Sequence, residues 1–181
     1  MKLPHKVTAK SRSEIRLLSI SAGVAFFLLV LDQLTKLLVE KRMILGESIE
    51  VIKGFFSLTY VTNKGAAWGI FSGYGLVLFA IGLLVTVIVI MFLRKLCAGY
   101  PERYVAILAV LSGVFGNSID RLFRGAVVDF LDFYIKDNHW PAFNVADCAI
   151  CIGIGVYMLS ALIRPDETAD KITAEDHAGQ N

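Results

Sequence analysis

The chain has 181 residues, of which 56% are hydrophobic and only 19% are charged. This composition is too apolar for an ordinary soluble domain and indicates a membrane protein. The formal net charge of +2 is too small to suggest nucleic-acid binding. The three cysteines do not form the disulfide framework of a small secreted protein, and Cys148 and Cys151 are interpreted as small residues packing inside a helix.

Four segments are long and apolar enough to cross a bilayer as helices, since a span needs roughly 20 mostly apolar residues. They are residues 17–39, 74–93, 104–120 and 143–163. The second segment contains no charge, whereas the other three each carry polar residues at one end. We therefore predict an α-helical integral membrane protein with four transmembrane helices.

Lysine and arginine residues near the spans predict the orientation of the chain. A basic amino-terminal segment, 1–16, and the short 94–103 loop fall on the same side of a four-span protein, and their cations are Lys2, Lys6, Lys10, Arg12, Arg16, Arg94, Lys95 and Arg103. We expect this side to be cytoplasmic, with both termini inside. The polar tail, 165–181, is predicted to be a disordered cytoplasmic segment, which leaves 17–164 as the membrane domain.

The segment between the first two spans is not helical in pattern. Residues 48–62 contain β-branched and aromatic side chains in partial alternation, which predicts one or two short strands. The stretch "NKGAAWGIFSGYG" follows, and its glycines allow tight turns or a close approach of the backbone. We expect residues of about 40–73 to form a small β-rich cradle on the outer face, with Trp68 and Tyr74, like Tyr134 and Trp140, at headgroup level.

Polar residues lie near the outer ends of three spans. They are Asp32 and Lys36 in the first, Asn117 and Asp120 in the third, and Asn144 and Asp147 in the fourth. Polar groups within a membrane usually face the bundle interior and mark a functional site. Asp32 and Lys36 are four residues apart on one helix face, so they either neutralise each other or contact a substrate. Asp120 and Arg124 have the same spacing if their helix continues.

Asp129 and Asp147 have apolar neighbours in the sequence, and three interpretations of them stay open. If both face one cavity, they share a proton and can act as acid and base on a peptide bond, as in aspartic proteases. They could equally form a proton relay or a cation site in a transporter. In the third interpretation each pairs with a cation, namely Arg121, Arg124 or Lys136.

Motifs of other hydrolases are missing from the sequence. It contains neither the H-E-x-x-H of zinc proteases nor the G-x-S-x-G of serine hydrolases. A transporter would predict inverted repeats and broken helices, and no internal repeat is evident. A scaffold protein without enzymatic activity would not need two converging acids.

Five stretches, in order, resemble the lipoprotein signal peptidases, which are also called type II signal peptidases. They are "LDQLTK" at 31–36, "NKGAAWG" at 63–69, "GNSIDR" at 116–121, "GAVVDF" at 125–130 and "FNVADCAI" at 143–150. Each motif is weak alone, but five in order are highly specific, and the likeness covers about residues 15–164. Two apolar differences occur: Trp68 stands where the family usually has Phe, and Leu131 where Ile is common.

The resemblance implies a bacterial inner-membrane aspartic endopeptidase with its active site near the outer face. Such an enzyme removes signal peptides from prolipoproteins by cutting just before a cysteine that carries a diacylglyceryl group. The family's catalytic pair falls on Asp129 and Asp147. The expected supporting or substrate-binding residues are Asp32, Lys36, Asn63, Gly65, Asn117, Asp120, Arg121 and Asn144. The resemblance also implies diacylated prolipoproteins and membrane lipids as partners. We expect no cofactor or metal, since an aspartic pair needs neither, and we expect a monomer.

Overall fold

The structure is a computed structural model that describes residues 9–65 and 70–164, with side chains from residue 12 onward. Several predictions fall elsewhere in the chain. The lysine side chains of the first ten residues, Trp68 and the predicted tail, 165–181, lie outside the described residues.

Four long helices form the body of the protein: α1 (Ala9–Arg42), α2 (Gly75–Cys97), α3 (Pro101–Phe123) and α4 (Val145–Ile163). Each contains a stretch long and apolar enough to cross a membrane, which confirms the four predicted spans. The helix α1 extends beyond the predicted span at both ends because its charged flanks consist largely of good helix formers. Pro101 begins α3 at a position where the missing N–H has no helical partner to lose.

A small antiparallel sheet lies at one end of the helices. Its strands, in spatial order, are β1 (Ser48–Ile52), β2 (Phe56–Asn63), β3 (Val127–Ile135) and β4 (Asn138–His139). The strands β1 and β2 confirm the strand prediction for residues 48–62. The strand β3 is absent from the predicted elements, although "VVDFLDFYI" is rich in β-branched and aromatic residues.

The central helix is α3, which packs against each of the other three. Its contact with α4 is close because glycines lie at the interface: a Cβ on Gly153 would be 2.7 Å from the Ala106 carbonyl oxygen, and one on Gly113 would collide with the backbone of Ala146. Small residues commonly allow membrane helices to approach in this way. Large exposed apolar side chains are frequent along α1 and α2, as expected for helices that face lipid.

The sheet is attached to the helices through β3. Val128 and Phe130 are buried against Val39 of α1. Side chains alternate along a strand, so the residue between them, Asp129, points to the opposite face. Val61 of β2 pairs with Asp129 across the sheet. The register of β2 and β3 therefore fixes the position of the Asp129 carboxyl near the helix ends.

Candidate active site

Asp129 is a buried carboxyl on the strand β3. The residue is 3% exposed, and its Oδ1 accepts a hydrogen bond from Asn144 Nδ2 over 2.7 Å. Burial raises the pKa of Asp129 to about 7, with a further contribution from the negative charge of Asp147. Hydrogen bonds from Asn144 and Asn63 act in the opposite direction, because they stabilise the ionised form.

Asp147 lies in the first turn of α4, where it forms a capping box with Asn144. Asn144 Oδ1 accepts from the Asp147 backbone N–H over 3.0 Å, and Asp147 Oδ2 accepts from the Asn144 backbone N–H over 3.2 Å. The other carboxyl oxygen, Oδ1, accepts from Asn117 Nδ2 over 2.8 Å. The helix start therefore orients this side chain, since the capping box satisfies backbone donors that the first turn leaves unpaired.

The structure brings the two carboxyls to one cavity of about 510 Å³, called the first cavity below. Its polar lining comprises Asn63, Asn117, Arg121, Asp129 and Asp147, and its remaining lining residues are Val127, Trp140, Pro141, Ala142, Phe143, Cys148, Cys151 and Ile152. Two acids thus meet in a largely apolar recess. This arrangement was one of the three open interpretations of the sequence.

Two asparagines connect the carboxyls to each other. Asn144 Nδ2 lies within hydrogen-bond distance of Asp129 Oδ1, 2.7 Å, and of Asn117 Oδ1, 3.2 Å. Asn117 Oδ1 also accepts from Lys36 Nζ over 3.0 Å. Because this oxygen faces two N–H donors, the orientation of the Asn117 amide is determined, and its Nδ2 must point to Asp147.

A buried group of charges lies behind the first cavity. Lys36 Nζ is 2.9 Å from Asp32 Oδ2 and 2.8 Å from Asp120 Oδ2, and the three side chains are at most 1% exposed. None of the three is among the residues that line the first cavity, which favours the neutralising role over contact with a substrate. Asp32 Oδ1 also accepts from the Ala146 backbone N–H over 2.9 Å, so this group holds the start of α4.

The nearby arginines have other partners than the two cavity aspartates. Arg124 Nη1 pairs with Asp120 over 2.6 Å and its Nε with Glu40 over 3.0 Å. Arg121 donates to the carbonyl oxygens of Asn117 and Gly65 over 3.3 and 3.1 Å. Within the described part of the chain, no ion pair includes Asp129 or Asp147, so the direct pairs of the cation-pairing interpretation do not form. Arg121 lines the same cavity and acts on both carboxyls electrostatically.

Asn63 and Gly65 form the end of β2 and the turn that follows. Asn63 Oδ1 accepts from the Gly65 backbone N–H over 2.9 Å. A Cβ on Gly65 would lie 2.5 Å from the Ile70 carbonyl oxygen, so the turn requires a glycine there. The intervening residues, 66–69, lie outside the described residues.

Several cavity residues are not among the predicted site residues. The segment 140–143 borders the cavity because Phe143 bridges to Leu131 of β3. Cys148 and Cys151 line the cavity, and Cys151 is exposed, so the expectation that both pack inside a helix is wrong for Cys151. Helix geometry could have predicted that Cys151 lines the cavity, because it is four residues after Asp147 and lies on the same helix face.

Comparison with known protein sequences gives a consistent result. A family model described as "Signal peptidase (SPase) II" matches residues 24–163. The lipoprotein signal peptidase of Bacillus pumilus is 40% identical over 152 residues, which are 83% of this chain and 97% of the relative. That of Geobacter metallireducens is 41% identical over 159 residues, 86% of this chain and 96% of the relative. These matches confirm the resemblance found in the five motifs.

Solved structures have the same fold. Two bacterial membrane enzymes determined by the in meso method, at 2.3 and 1.9 Å resolution, superimpose with TM-scores of 0.75 and 0.72, each at 36% identity. The matches cover 80% and 81% of this chain and 88% and 94% of those chains. The protein therefore belongs to the signal peptidase II family and is a bacterial membrane peptidase.

Proposed function

We propose that this protein removes signal peptides from prolipoproteins by aspartic chemistry, cutting just before a cysteine that carries a diacylglyceryl group. Its relatives are named lipoprotein signal peptidases, and the chain spans nearly their whole length. One observation supports the chemistry above all. Asp129 and Asp147, called the dyad below, line one cavity and form no ion pair within the described residues.

The two members of the dyad have different roles in this proposal. Burial raises the pKa of Asp129 to about 7, so this carboxyl holds the shared proton near neutral pH and is the general acid. Asp147 accepts two N–H hydrogen bonds, from Asn117 and from the Asn144 backbone. Asp129 accepts comparable hydrogen bonds, but Asp147 is only half-buried, which favours a charged carboxylate more than the buried position of Asp129 does, and Asp147 is therefore the general base.

Cleavage takes two steps. First, Asp147 takes a proton from a water molecule as the water oxygen attacks the scissile carbonyl carbon, and Asp129 gives its proton to the carbonyl oxygen. The tetrahedral intermediate then collapses: the proton on Asp147 passes to the leaving amine, the C–N bond breaks, and one hydroxyl proton returns to Asp129. The products are a signal peptide with a free carboxyl group and a lipidated cysteine with a free amine. The dyad returns to its initial state without any cofactor.

The first cavity suits a substrate that remains in the membrane. Its lining follows α4 from Asp147 to Ile152, a length of roughly 7–8 Å at the helical rise per residue. A signal peptide and two acyl chains are apolar, so this part of the cavity wall is compatible with them. Since one chain supplies both carboxyls, we propose that the monomer is active.

The orientation of the protein follows from its cations. Arg94 and Lys95 lie at the end of α2 that is remote from the sheet, and a short cationic loop favours the cytoplasmic side. We propose that both termini are cytoplasmic and that the sheet and the dyad lie at the outer face. The membrane domain, 17–164, then contains the complete catalytic site.

One precursor in two forms tests the proposed function. The purified protein is incubated with a prolipoprotein that carries the diacylglyceryl group and with the same prolipoprotein lacking it. We expect only the lipidated form to be shortened, with mass spectrometry placing the lipidated cysteine at the new amino terminus. Equal cleavage of both forms would contradict the substrate requirement, and a cut elsewhere would contradict the proposed cleavage position.

A further inference from the structure

A second cavity, of about 420 Å³, lies beside the first. The two cavities share Asn63, Asp129, Pro141 and Ala142, so the Asp129 carboxyl borders both. The residues that line only the second cavity are Val61, Thr62, Lys64 and Ser72. A peptide chain that passes the Asp129 carboxyl can therefore enter one cavity on each side of it.

The two cavities differ in chemistry and in position. The first follows α4 into its membrane span and is lined there by Cys148, Cys151 and Ile152. The second follows the end of β2 and the next turn, where Thr62, Lys64 and Ser72 are exposed. Two hydroxyls and an ammonium group suit a hydrated peptide segment and do not suit an acyl chain.

We propose that the second cavity binds the residues that follow the lipidated cysteine and that Lys64 makes it prefer an acidic side chain there. This proposal rests on the proposed function, in which the chain before the scissile bond is apolar and the chain after it extends into water. Among the described residues that line the second cavity, Lys64 is the one cation. An exposed ammonium group attracts a carboxylate and repels another ammonium group.

The sheet register indicates which substrate position Lys64 reaches. Val61 pairs with Asp129, β2 ends two residues further along at Asn63, and Lys64 follows in the turn, so that it lies at most roughly 10 Å from Val61 at the rise of a strand. An extended substrate advances by a similar distance per residue. The third residue after the scissile bond, counting the lipidated cysteine as the first, is therefore the position nearest to Lys64 and is well separated from the negative charge of the dyad.

Three lipidated precursors that differ only at this third residue, which is Glu, Gln or Lys, test the proposal. For the wild type we expect kcat/KM for the Glu substrate to exceed that for the Lys substrate about threefold, the scale of an exposed ion pair. Lys64→Gln should bring this ratio close to one, and Lys64→Glu should invert it. The ratio within each variant cancels any general effect of the substitution on the enzyme.

Lys53→Glu is the matched control. Lys53 is an exposed lysine in the turn between β1 and β2, at the opposite end of β2 from Lys64, and its reversal should leave the wild-type ratio unchanged. The wild-type ratio should also decrease when salt is raised from about 50 mM to about 500 mM, because exposed charges are screened. Equal values of kcat/KM for the three substrates in the wild type, or the wild-type ratio in Lys64→Glu, would overturn the proposal.

Failure of this proposal and failure of the proposed function give different results. If the three substrates are cut at the same rate, the role of Lys64 is wrong and the peptidase activity stands. If no substrate is cut, the proposed function is wrong. The role of Lys64 is then decided by binding: the Kd of the same three precursors, fluorescently labelled, is measured for the wild type and for Lys64→Glu. If the order of the three Kd values is reversed between the two proteins, the role of Lys64 is supported. If the order is the same in both, it is overturned.

Discussion

Asn117 donates a hydrogen bond from Nδ2 to Asp147 Oδ1 over 2.8 Å. The other end of the same amide accepts from Lys36 Nζ, which pairs with Asp32 and Asp120. The buried charges are thus two hydrogen bonds away from the proposed general base. Lys36 and Arg124, which pairs with Asp120, together balance the two carboxyls, and Lys36 at the same time determines the direction of the amide that orients Asp147.

Removal of Lys36 should destabilise the protein strongly. Lys36→Met leaves Asp32 and Asp120 without their shared buried cation, and breaking a buried pair in this way costs about 3–5 kcal/mol. Thermal unfolding in detergent and the amount of protein in the membrane measure the loss. The control is Arg94→Met, because the Arg94–Glu14 pair is exposed and should contribute at most about 1 kcal/mol. Equal small losses would contradict the structural role of Lys36.

Two glycines of α4 should respond differently to the same substitution. A Cβ on Gly153 would lie 2.7 Å from both the Ala106 carbonyl oxygen and Val110 Cγ2, whereas Gly155 has no other group within 4 Å. We expect Gly153→Ala to cost about 1–3 kcal/mol, as overpacking does, and Gly155→Ala to leave the melting temperature equal or higher. If Gly155→Ala destabilised as much as Gly153→Ala, the close α3–α4 contact would be wrong.

The stability of the protein should depend on pH through Asp129. Folding raises the pKa of this carboxyl from 3.8 to about 7, so the folded state binds the proton more tightly than the unfolded state. Stability is therefore lost as pH rises from about 4 to about 7. Asp129→Asn removes this loss and should melt at a higher temperature than the wild type near pH 8.

The free energy of unfolding of Asp129→Asn should exceed that of the wild type by up to about 4 kcal/mol near pH 8, as the size of the pKa shift of Asp129 implies. This difference should decrease as pH falls and disappear below about pH 3, where the carboxyl is neutral in the folded and in the unfolded protein. Melting temperatures of the two proteins across this pH range provide the comparison. A difference that stays constant with pH would show that the Asp129 carboxyl is not the group responsible.

Reporter fusions at two glycines test the orientation. Gly99 lies in the turn between α2 and α3, and Gly54 lies between β1 and β2 at the other end of the helices. We expect a reporter that is active only in the cytoplasm to work at Gly99, and one that is active only outside to work at Gly54. The reverse pattern would put the dyad on the cytoplasmic side and contradict the proposed function.

Features that depend on local sequence were predictable. The bilayer thickness sets the length of a span, so hydropathy was sufficient to find all four helices. The pairs Asp32–Lys36 and Asp120–Arg124 follow from helical spacing, and the structure confirms both. The five motifs identified the family because each stretch is itself continuous in the sequence.

Features that depend on distant residues were not predictable. The strand β3 pairs with β2, which is more than 60 residues earlier in the sequence, so no local pattern defines its register. The cavity wall at 140–143 depends on the bridge between Phe143 and Leu131. The direction of the Asn117 amide depends on Lys36 in a different helix. Each of these contacts requires the folded chain.

The most direct test of the account is cleavage of a diacylated prolipoprotein by Asp129→Asn, Asp147→Asn and the double variant. Asn keeps the volume of Asp but cannot accept and return a proton. Each single variant should lose about 10³-fold or more in kcat, and the double variant should lose little more, because the dyad acts as a unit. Chelators should leave the wild-type rate unchanged, since the proposed mechanism uses no metal.

Asp132→Asn is the control for this measurement. Asp132 is a buried carboxylate of the same strand, but it points to the other face, where it contacts Thr59 and His139. We predict that Asp132→Asn cuts the precursor at a rate close to that of the wild type, while both dyad variants accumulate in the membrane and do not cut. Substantial cleavage by Asp129→Asn or Asp147→Asn would contradict the aspartic mechanism.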